Sequence, residues 1–589
     1  MRNLVLITID TLRADHVGAY GYTRAHTPAL DGLARSGVIF ERAYAAAPIT
    51  LPSHATILTG RYPPGHGARD NGVAMLPVPT LATELQTRGF KTGAFVAAFP
   101  LDHQFGLSRG FDAYSDRLGR DAAGRPANER PATQVVDEAI AWIRSLPAPP
   151  APPAPPAGRF FLWVHLFEPH APYGTDASRP VLERYDEEIA AADRAVARIV
   201  QALGTRTDTL TVVAGDHGEA FGEHGEYAHS IFVYDTTLRV PLIVSGTAAN
   251  RAVPDRVTLA DVAPTVMRLL GFSMADVDGI DLSPAFDGRV LPARELYAES
   301  FAPLVEFGWA PLRAIRSGPW KFIAAPKPEL FDIEKDAGER TNVAAAEVTL
   351  SRSLADRANR YSNDTLPSAG HQADPQALDR LRALGYSSGA NPQSALERPD
   401  PKDRRDLAAR IAQVTSGELQ GDALTSALEA IVRDDPRNGQ ARLRLGHARL
   451  QAGDCTRAEP ELRAAAAAGL PSADIHLGLA TCLGRRGDLS GAERALEAAR
   501  WLEPDNPVIT ANVGILQAAK GDLSTAIESL KKALEADPTL DEARFNLAVA
   551  YAKTGRRSDA AGAARALLMR LPTNAPQRRE VERLLRSVQ

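Results

Sequence analysis

Cysteine is nearly absent from this chain, with 2 in 589 residues. Cys455 and Cys482 both lie in the C-terminal third, away from any cluster of histidines and carboxylates. The rest of the chain therefore holds no disulfide and no thiolate metal site, which fits a reducing compartment. An excess of one charge is missing too: 67 basic residues stand against 72 acidic ones, with no arginine–lysine run, which argues against a nucleic-acid partner. Long hydrophobic runs are lacking as well. Met1-Arg2-Asn3 leads straight into Leu4–Ile9, where a secretory core takes roughly 7 to 15 apolar residues and a membrane span about 20. As written, the chain reads as soluble and cytoplasmic with no membrane segment; a start codon further upstream would make it an exported protein.

What is present alternates. Near-continuous apolar runs at Leu4–Ile9, Lys91–Val96, Phe160–Phe167, Leu210–Ala214 and Val240–Ser245 predict buried strands of a parallel sheet covered on both faces. Helical spacing of apolar residues predicts helices at Thr80–Arg88, Ala132–Arg144 and Tyr185–Leu203. The fold class is α/β with a doubly wound sheet. Leu146–Gly158 is proline-rich and predicts an exposed polyproline excursion, since proline donates no amide hydrogen. Leu312–Ile323 reads as a hairpin turning at Arg316-Ser317-Gly318-Pro319. Residues 351–404 lose strand patterning and read as a linker, with one short helix expected near Asp374–Leu384.

From about residue 405 the chain repeats. Gly453, Gly487, Gly521 and Gly555 recur every 34 residues, and so do Ala458, Ala492, Ala526 and Ala560. Pro504, Pro538 and Pro572 keep the same interval, and a degenerate unit around Gly421–Pro436 precedes them. This period, with glycine between helices and proline closing each unit, resembles the tetratricopeptide repeat. The resemblance implies an all-α solenoid over residues 405–589 that binds a protein partner.

The chemistry concentrates in residues 1–350. Asp10 ends the first strand, Asp216-His217 end a later one, and Thr50 opens the segment Thr50-Leu51-Pro52-Ser53-His54 before a helix. Ligands in open α/β sheets gather at the carboxyl ends of strands, so residues this far apart can share one site. Two carboxylates, an imidazole and a hydroxyl form an oxygen/nitrogen set for a divalent ion, which would activate the Thr50 hydroxyl. Singly, each residue reads more readily as a helix cap or turn residue than as a catalytic one; together, in this order, they point to catalysis.

The strings around them resemble the sulfatase family of the alkaline phosphatase superfamily. Thr50-Leu51-Pro52-Ser53-His54 followed by Leu58-Thr59-Gly60-Arg61 resembles the signature Cys/Ser-x-Pro-x-Arg. Leu330-Phe331-Asp332-Ile333-Glu334-Lys335-Asp336 with Glu339-Arg340-Thr341-Asn342 resembles the ending of the family's small C-terminal antiparallel subdomain. Family members oxidise the cysteine or serine to a formylglycine; threonine cannot follow that route. His54 replaces the arginine that steadies the aldehyde, and Thr11 stands where a second aspartate is usual. Threonine-dependent members of the superfamily are matched instead, with Asp10, Thr50, Asp216 and His217 as metal ligands.

The resemblance further implies catalytic roles for Thr50, His54 and His229, and substrate contacts for His165, His170, Arg69 and Asn71. An imidazole ligand favours manganese or zinc, with calcium or magnesium open. One metal is preferred to two, since imidazoles of the further histidines His165, His170 and His229 acting as proton donors to the anion alone suffice. The expected activity is hydrolysis or transfer of a small anionic ester, phosphate or sulfate, through a threonine ester. Two alternatives stand beside it: a true sulfuric ester hydrolase, and an inactive sulfatase-like scaffold whose function lies in the repeats.

Overall fold

The computed structural model describes residues 3–119, 127–147, 158–174, 176, 178–204, 206, 208–361, 398–417, 419–470, 472–571, 575 and 577–589. The proline-rich stretch 148–157 and the helix expected near 374–384 lie outside the described residues. Two compact units divide the chain, with the boundary between Leu419 and Gln420.

The first unit is built on a nine-stranded sheet. Its strands are β1 (Asn3–Ile9), β2 (Gly37–Tyr44), β3 (Lys91–Phe95), β4 (Ala113–Ser115), β5 (Phe160–Leu166), β6 (Thr209–Gly215), β7 (Arg239–Val240), β8 (Leu242–Ser245) and β9 (Arg251–Thr258). Their order is β4-β3-β5-β1-β6-β8-β2-β7, with β9 also paired to β2. Strands β4, β3, β5, β1 and β6 pair in parallel, and every residue of β1, β5 and β6 is buried. Such strands need cover on both faces, which the apolar runs predicted.

The parallel expectation fails at one side. Pro241 divides the predicted strand Val240–Ser245 into β7 and β8, and β8 runs antiparallel to both β6 and β2. Strands β2 and β9 went unread because Glu41-Arg42 and Asp255-Arg256 break their apolar patterns.

Helix Val181–Leu203 lays Tyr185, Ile189, Ala192, Val196, Ile199 and Leu203 on the sheet, and helix Ala132–Ser145 adds Val135, Val136, Ala139 and Ile143 to the same core. Fully burying a large aliphatic side chain contributes roughly 1.5–3 kcal/mol, so this face is a main source of stability. Helix Thr50–Thr59 is buried at every residue. A second, antiparallel sheet follows: β10 (Glu295–Ser300), β11 (Leu312–Ser317), β12 (Trp320–Ala324) and β13 (Glu329–Asp332), with the predicted hairpin formed by β11 and β12. Helix Val348–Ala358 packs Leu354 and Ala358 against Ile315, Phe322 and Leu330, so the segment expected to open the linker belongs to this layer. Helix Arg405–Thr415 also falls inside the first unit rather than opening the repeats.

The second unit consists of helical hairpins, among them Gly439–Gln451 with Cys455–Ala467, Ala473–Arg485 with Leu489–Leu502, Pro507–Ala519 with Leu523–Ala536, and Asp541–Lys553 with Arg557–Arg570. Gly453, Gly487, Gly521 and Gly555 all take positive φ between the helices of a hairpin, which explains their period. Gly514 meets Leu530 so closely that a Cβ would lie 2.8 Å from its side chain.

Candidate active site

Parallel pairing delivers the two aspartates. Asp10 follows β1 and Asp216 follows β6, and the ladder runs on through them: the Asp216 amide donates to the Ile9 carbonyl at 3.3 Å, and the Asp10 amide to Leu166 at 3.0 Å. Thr11 then bends into the left-handed region at φ 52°. That bend lets its amide donate to Asp216 Oδ1 at 3.1 Å, where the His217 amide also donates at 2.7 Å. Asp216 is thereby fixed, with Oδ2 left over.

The His217 ring donates from Nδ1 to the Gly218 carbonyl at 3.0 Å, an assignment that follows from the acceptor it faces. Its Nε2 lone pair then lies 3.5 Å from Asp10 Oδ1 and 3.6 Å from Asp216 Oδ2. Asp10 Oδ1 and Oδ2, Asp216 Oδ2 and His217 Nε2 are all buried without a hydrogen-bond partner. Each unpaired buried polar atom costs about 1–3 kcal/mol, and charged groups cost more. Asp10, Asp216 and His217 each offer an atom within 4.8 Å of the others, a donor set that a divalent cation satisfies. Burial, followed by Asp10, pushes the Asp216 carboxyl well above its ordinary range; burial pushes the His217 imidazole well below. His217 is thus neutral, the form that ligates metals.

Helix Thr50–Thr59 starts at this cluster. Ser53 Oγ donates to the Asp216 carbonyl at 2.6 Å, pinning the helix to the end of β6. Asn71 Oδ1 accepts the Leu51 amide at 2.8 Å, and its Nδ2 donor is buried and unpaired beside Thr50. An unused amide donor next to a nucleophile candidate suits an anionic oxygen.

His54 was expected to be catalytic, but both its ring nitrogens are used inside the fold. Nδ1 donates to the Thr50 carbonyl at 2.8 Å, and Nε2 accepts from the Thr8 hydroxyl at 2.9 Å, which in turn accepts from Trp163 Nε1 at 3.0 Å. Burial, with His165 adding, lowers it to about 3, so it holds Thr50 in place as a neutral ring.

His165, expected to touch substrate, stands beside Asp10 with its Nε2 buried and without a hydrogen-bond partner. Its Nδ1 accepts the Ala97 amide at 3.3 Å and its Nε2 stands 3.3 Å from Asp10 Oδ2. Arg69 is committed elsewhere: it forks onto buried Glu299 at 2.8 and 2.6 Å and lies 3.8 Å over the Phe301 ring. It braces a wall.

His170 and His229 fit their expected places better. Their ring centroids are 5.1 Å apart, and His229 lies 4.5 Å from His217. His170 donates from Nδ1 to the Ala171 carbonyl at 2.7 Å. His229 Nδ1 bonds Glu219 Oε1 at 3.1 Å, and Tyr173 donates to Glu219 Oε2 at 2.8 Å. Burial opposes charge on His229, yet Glu219 outweighs it and raises the imidazole above its usual value. Glu219 and Tyr173 were not among the sequence candidates. The only signal was position, since Glu219 closes Asp216-His217-Gly218-Glu219.

The sheet with its strand-end carboxylates and a hydroxyl opening a buried helix defines an α/β domain of the alkaline-phosphatase-like fold. The family model described as Sulfatase matches residues 2–272, and those described as Tetratricopeptide repeat and TPR repeat match residues 443–507 and 516–555. The chain thus carries a sulfatase-family domain followed by tetratricopeptide repeats. Among curated relatives, the Delta 4,5-hexuronate-2-O-sulfatase of Bacteroides thetaiotaomicron is 26% identical over 473 residues, covering 66% of this chain and 95% of that protein. The choline-sulfatase of Rhizobium meliloti is 26% identical over 429 residues, covering 58% and 82%. The solved phosphonate monoester hydrolase of Agrobacterium radiobacter shares the fold at TM-score 0.51 and 21% identity, covering 61% of this chain and 95% of that one.

Proposed function

We propose that the first unit is a metal-dependent hydrolase, or transferase, of small anionic esters, with Thr50 as an unmodified nucleophile and phosphate-type esters preferred to sulfate esters. One observation carries it: the helix headed by Thr50 is pinned to Asp216, whose Oδ2 belongs, with both Asp10 oxygens and His217 Nε2, to a buried set lacking partners. Its relatives are named for both sulfate and phosphonate chemistry, and threonine in the nucleophile position closes the formylglycine route.

Asp10, Asp216 and His217, with Thr50, would hold the cation, and the imidazole favours manganese or zinc over calcium or magnesium. Such a cation supplies a lowered hydroxyl pKa and charge neutralisation at the ester. Thr50 Oγ attacks phosphorus in line, and the bond to the leaving oxygen breaks. The proton Thr50 gives up is balanced by one delivered to the departing alcohol from His229, which Glu219 orients. Water, or an acceptor alcohol, then attacks the threonine ester and returns a proton to Thr50 Oγ. Asn71 Nδ2 steadies the anionic oxygens. Both Glu219 oxygens are occupied by His229 and Tyr173, which supports one cation with imidazole donors rather than two cations. The repeats serve a protein partner.

Nitrophenyl phosphate, a phosphodiester and a sulfate ester, offered to wild type and Thr50→Ala, test the assignment. Thr50→Ala loses about 10³-fold or more of kcat on the phosphate-type probes while its circular dichroism is unchanged. Near wild-type turnover by the variant removes Thr50 as nucleophile, and turnover of the sulfate probe alone reverses the substrate preference. If the wild type turns over none of the three, the inactive-scaffold alternative takes its place.

A further inference from the structure

The two cysteines of this chain meet in the second unit. Cys455 is the first residue of helix Cys455–Ala467, directly after its capping Asp454, and Cys482 lies on the next helix, Ala473–Arg485. Cys482 is buried and Cys455 partly exposed. Burial, followed by a hydrogen bond to the Cys455 thiol, pushes the Cys482 thiol up to about 12. Arg485, one turn beyond Cys482, brings Nη1 to 4.0 Å from Cys455 Sγ. A cation at that distance can pair with the negative charge that passes between sulfurs during thiol–disulfide exchange.

The repeat supplies its own control. Thirty-four residues on, Cys455 and Cys482 become Leu489 and Leu516; one repeat further they become Leu523 and Ala550. Leu489 and Leu516 pack in one apolar cluster, and Leu523 with Ala550 in the next. The same contact between successive hairpins is thus apolar twice and a dithiol once. Cysteine often serves as a small hydrophobe. That role accounts for either substitution singly, but not for both partners changing together beside an arginine.

We infer that Cys455 and Cys482 form a redox-responsive pair that closes to an intramolecular disulfide, linking two successive hairpins of the repeat unit. The oxidant is a low-molecular-weight disulfide. The Cys455 thiolate attacks one of its sulfurs, forming a mixed disulfide and expelling one small thiolate, which takes the proton that Cys482 gives up. Cys482 sulfur then attacks Cys455 Sγ, the mixed disulfide breaks, and the second small thiolate leaves to be protonated from solvent. Two protein thiols and one small disulfide become one protein disulfide and two small thiols. Closing this loop constrains the unfolded chain, so the oxidised repeats melt at a higher temperature.

Equilibrating the full-length protein with oxidised and reduced glutathione mixtures, then counting thiols after acid quench and denaturation, tests this. The expected result is loss of both thiols together, a mass lower by two hydrogens, monomeric mobility without reductant, and a peptide joining Cys455 to Cys482. Cys482→Ser is expected to keep a stable mixed disulfide on Cys455, whereas Cys455→Ser leaves Cys482 unmodified in the folded protein. Arg485→Gln slows the first step severalfold. Circular dichroism of each variant separates these outcomes from unfolding. Retention of both thiols in the most oxidising mixture, or a disulfide formed between chains, overturns the inference.

Discussion

His217 carries the proposed metal preference at the scale of single residues. Its ring is buried and neutral, with Nε2 turned to two carboxylates and Nδ1 spent on the Gly218 carbonyl. An imidazole in the ligand set disfavours calcium, which takes oxygen ligands, and suits manganese or zinc. Chelator-treated protein should therefore lose turnover and recover it better with manganese or zinc than with calcium, and His217→Ala should narrow that difference. Elemental analysis finding stoichiometric calcium alone in active protein contradicts the assignment. The same logic separates His217 from His54, which the sequence placed side by side as site histidines. Both are fully buried, but only His217 leaves a nitrogen unpaired. Hydrogen-bond partners supplied by Thr8 and the Thr50 carbonyl make that difference, and no local string reports them.

Among elements, the loop after the Thr50 helix and the short helix Ala302–Phe307 meet through carboxyls. Burial holds Asp70 at about 8, and burial followed by Asp70 holds Glu306 well above its ordinary range. A carboxyl raised in the folded state keeps a proton that the unfolded chain releases. The first unit should therefore lose stability as pH climbs from about 4, the unfolded value, to about 8, where the folded group releases its proton too. Asp70→Asn removes this term, so its advantage in thermal midpoint over wild type should grow between pH 5 and pH 8. An advantage that is constant across that range, or shrinks, rules the explanation out. Elements were legible where one face or two faces carry a clean apolar pattern: β1, β5, β6 and the long helix Val181–Leu203 were all anticipated. Of those missed, β2 and β9 carry charged pairs mid-strand, and helix Val348–Ala358 has only Leu354 and Ala358 deep in its contact. Likewise Asp10, Thr50, Asp216 and His217 could be assembled from strand ends. The commitment of Arg69 to Glu299, 230 residues away, could not.

For the whole molecule, the boundary between its two units sets what can be removed. The sequence pattern placed the start of the repeats at about residue 405, yet the chain from Arg398 to Gly417 is bonded into the first unit. The Ala310 amide donates to the Pro399 carbonyl at 2.9 Å, and the Lys327 amide to Asp400 at 2.8 Å. Arg405 donates to the Tyr234 hydroxyl at 2.7 Å, and its side chain packs on Gly225, whose added Cβ would lie 3.2 Å away. Gly225 and Tyr234 flank the loop that carries His229, so this segment braces one wall of the candidate site. The hairpins beyond residue 420 bury their apolar faces against their neighbours, as repeat units do. A chain ended at Leu419 should therefore keep the circular dichroism of a sheet-and-helix protein and turn over a nitrophenyl ester as the full chain does. A chain ended near residue 397 should melt earlier and lose activity as the wall carrying His229 loosens. Arg405→Ala in the full chain should reproduce part of that loss, which separates the brace from a general effect of truncation. If the chain ended near 397 is as stable and active as the full protein, the brace has no role. If the chain ended at Leu419 is folded but inactive, the repeats help to build the site.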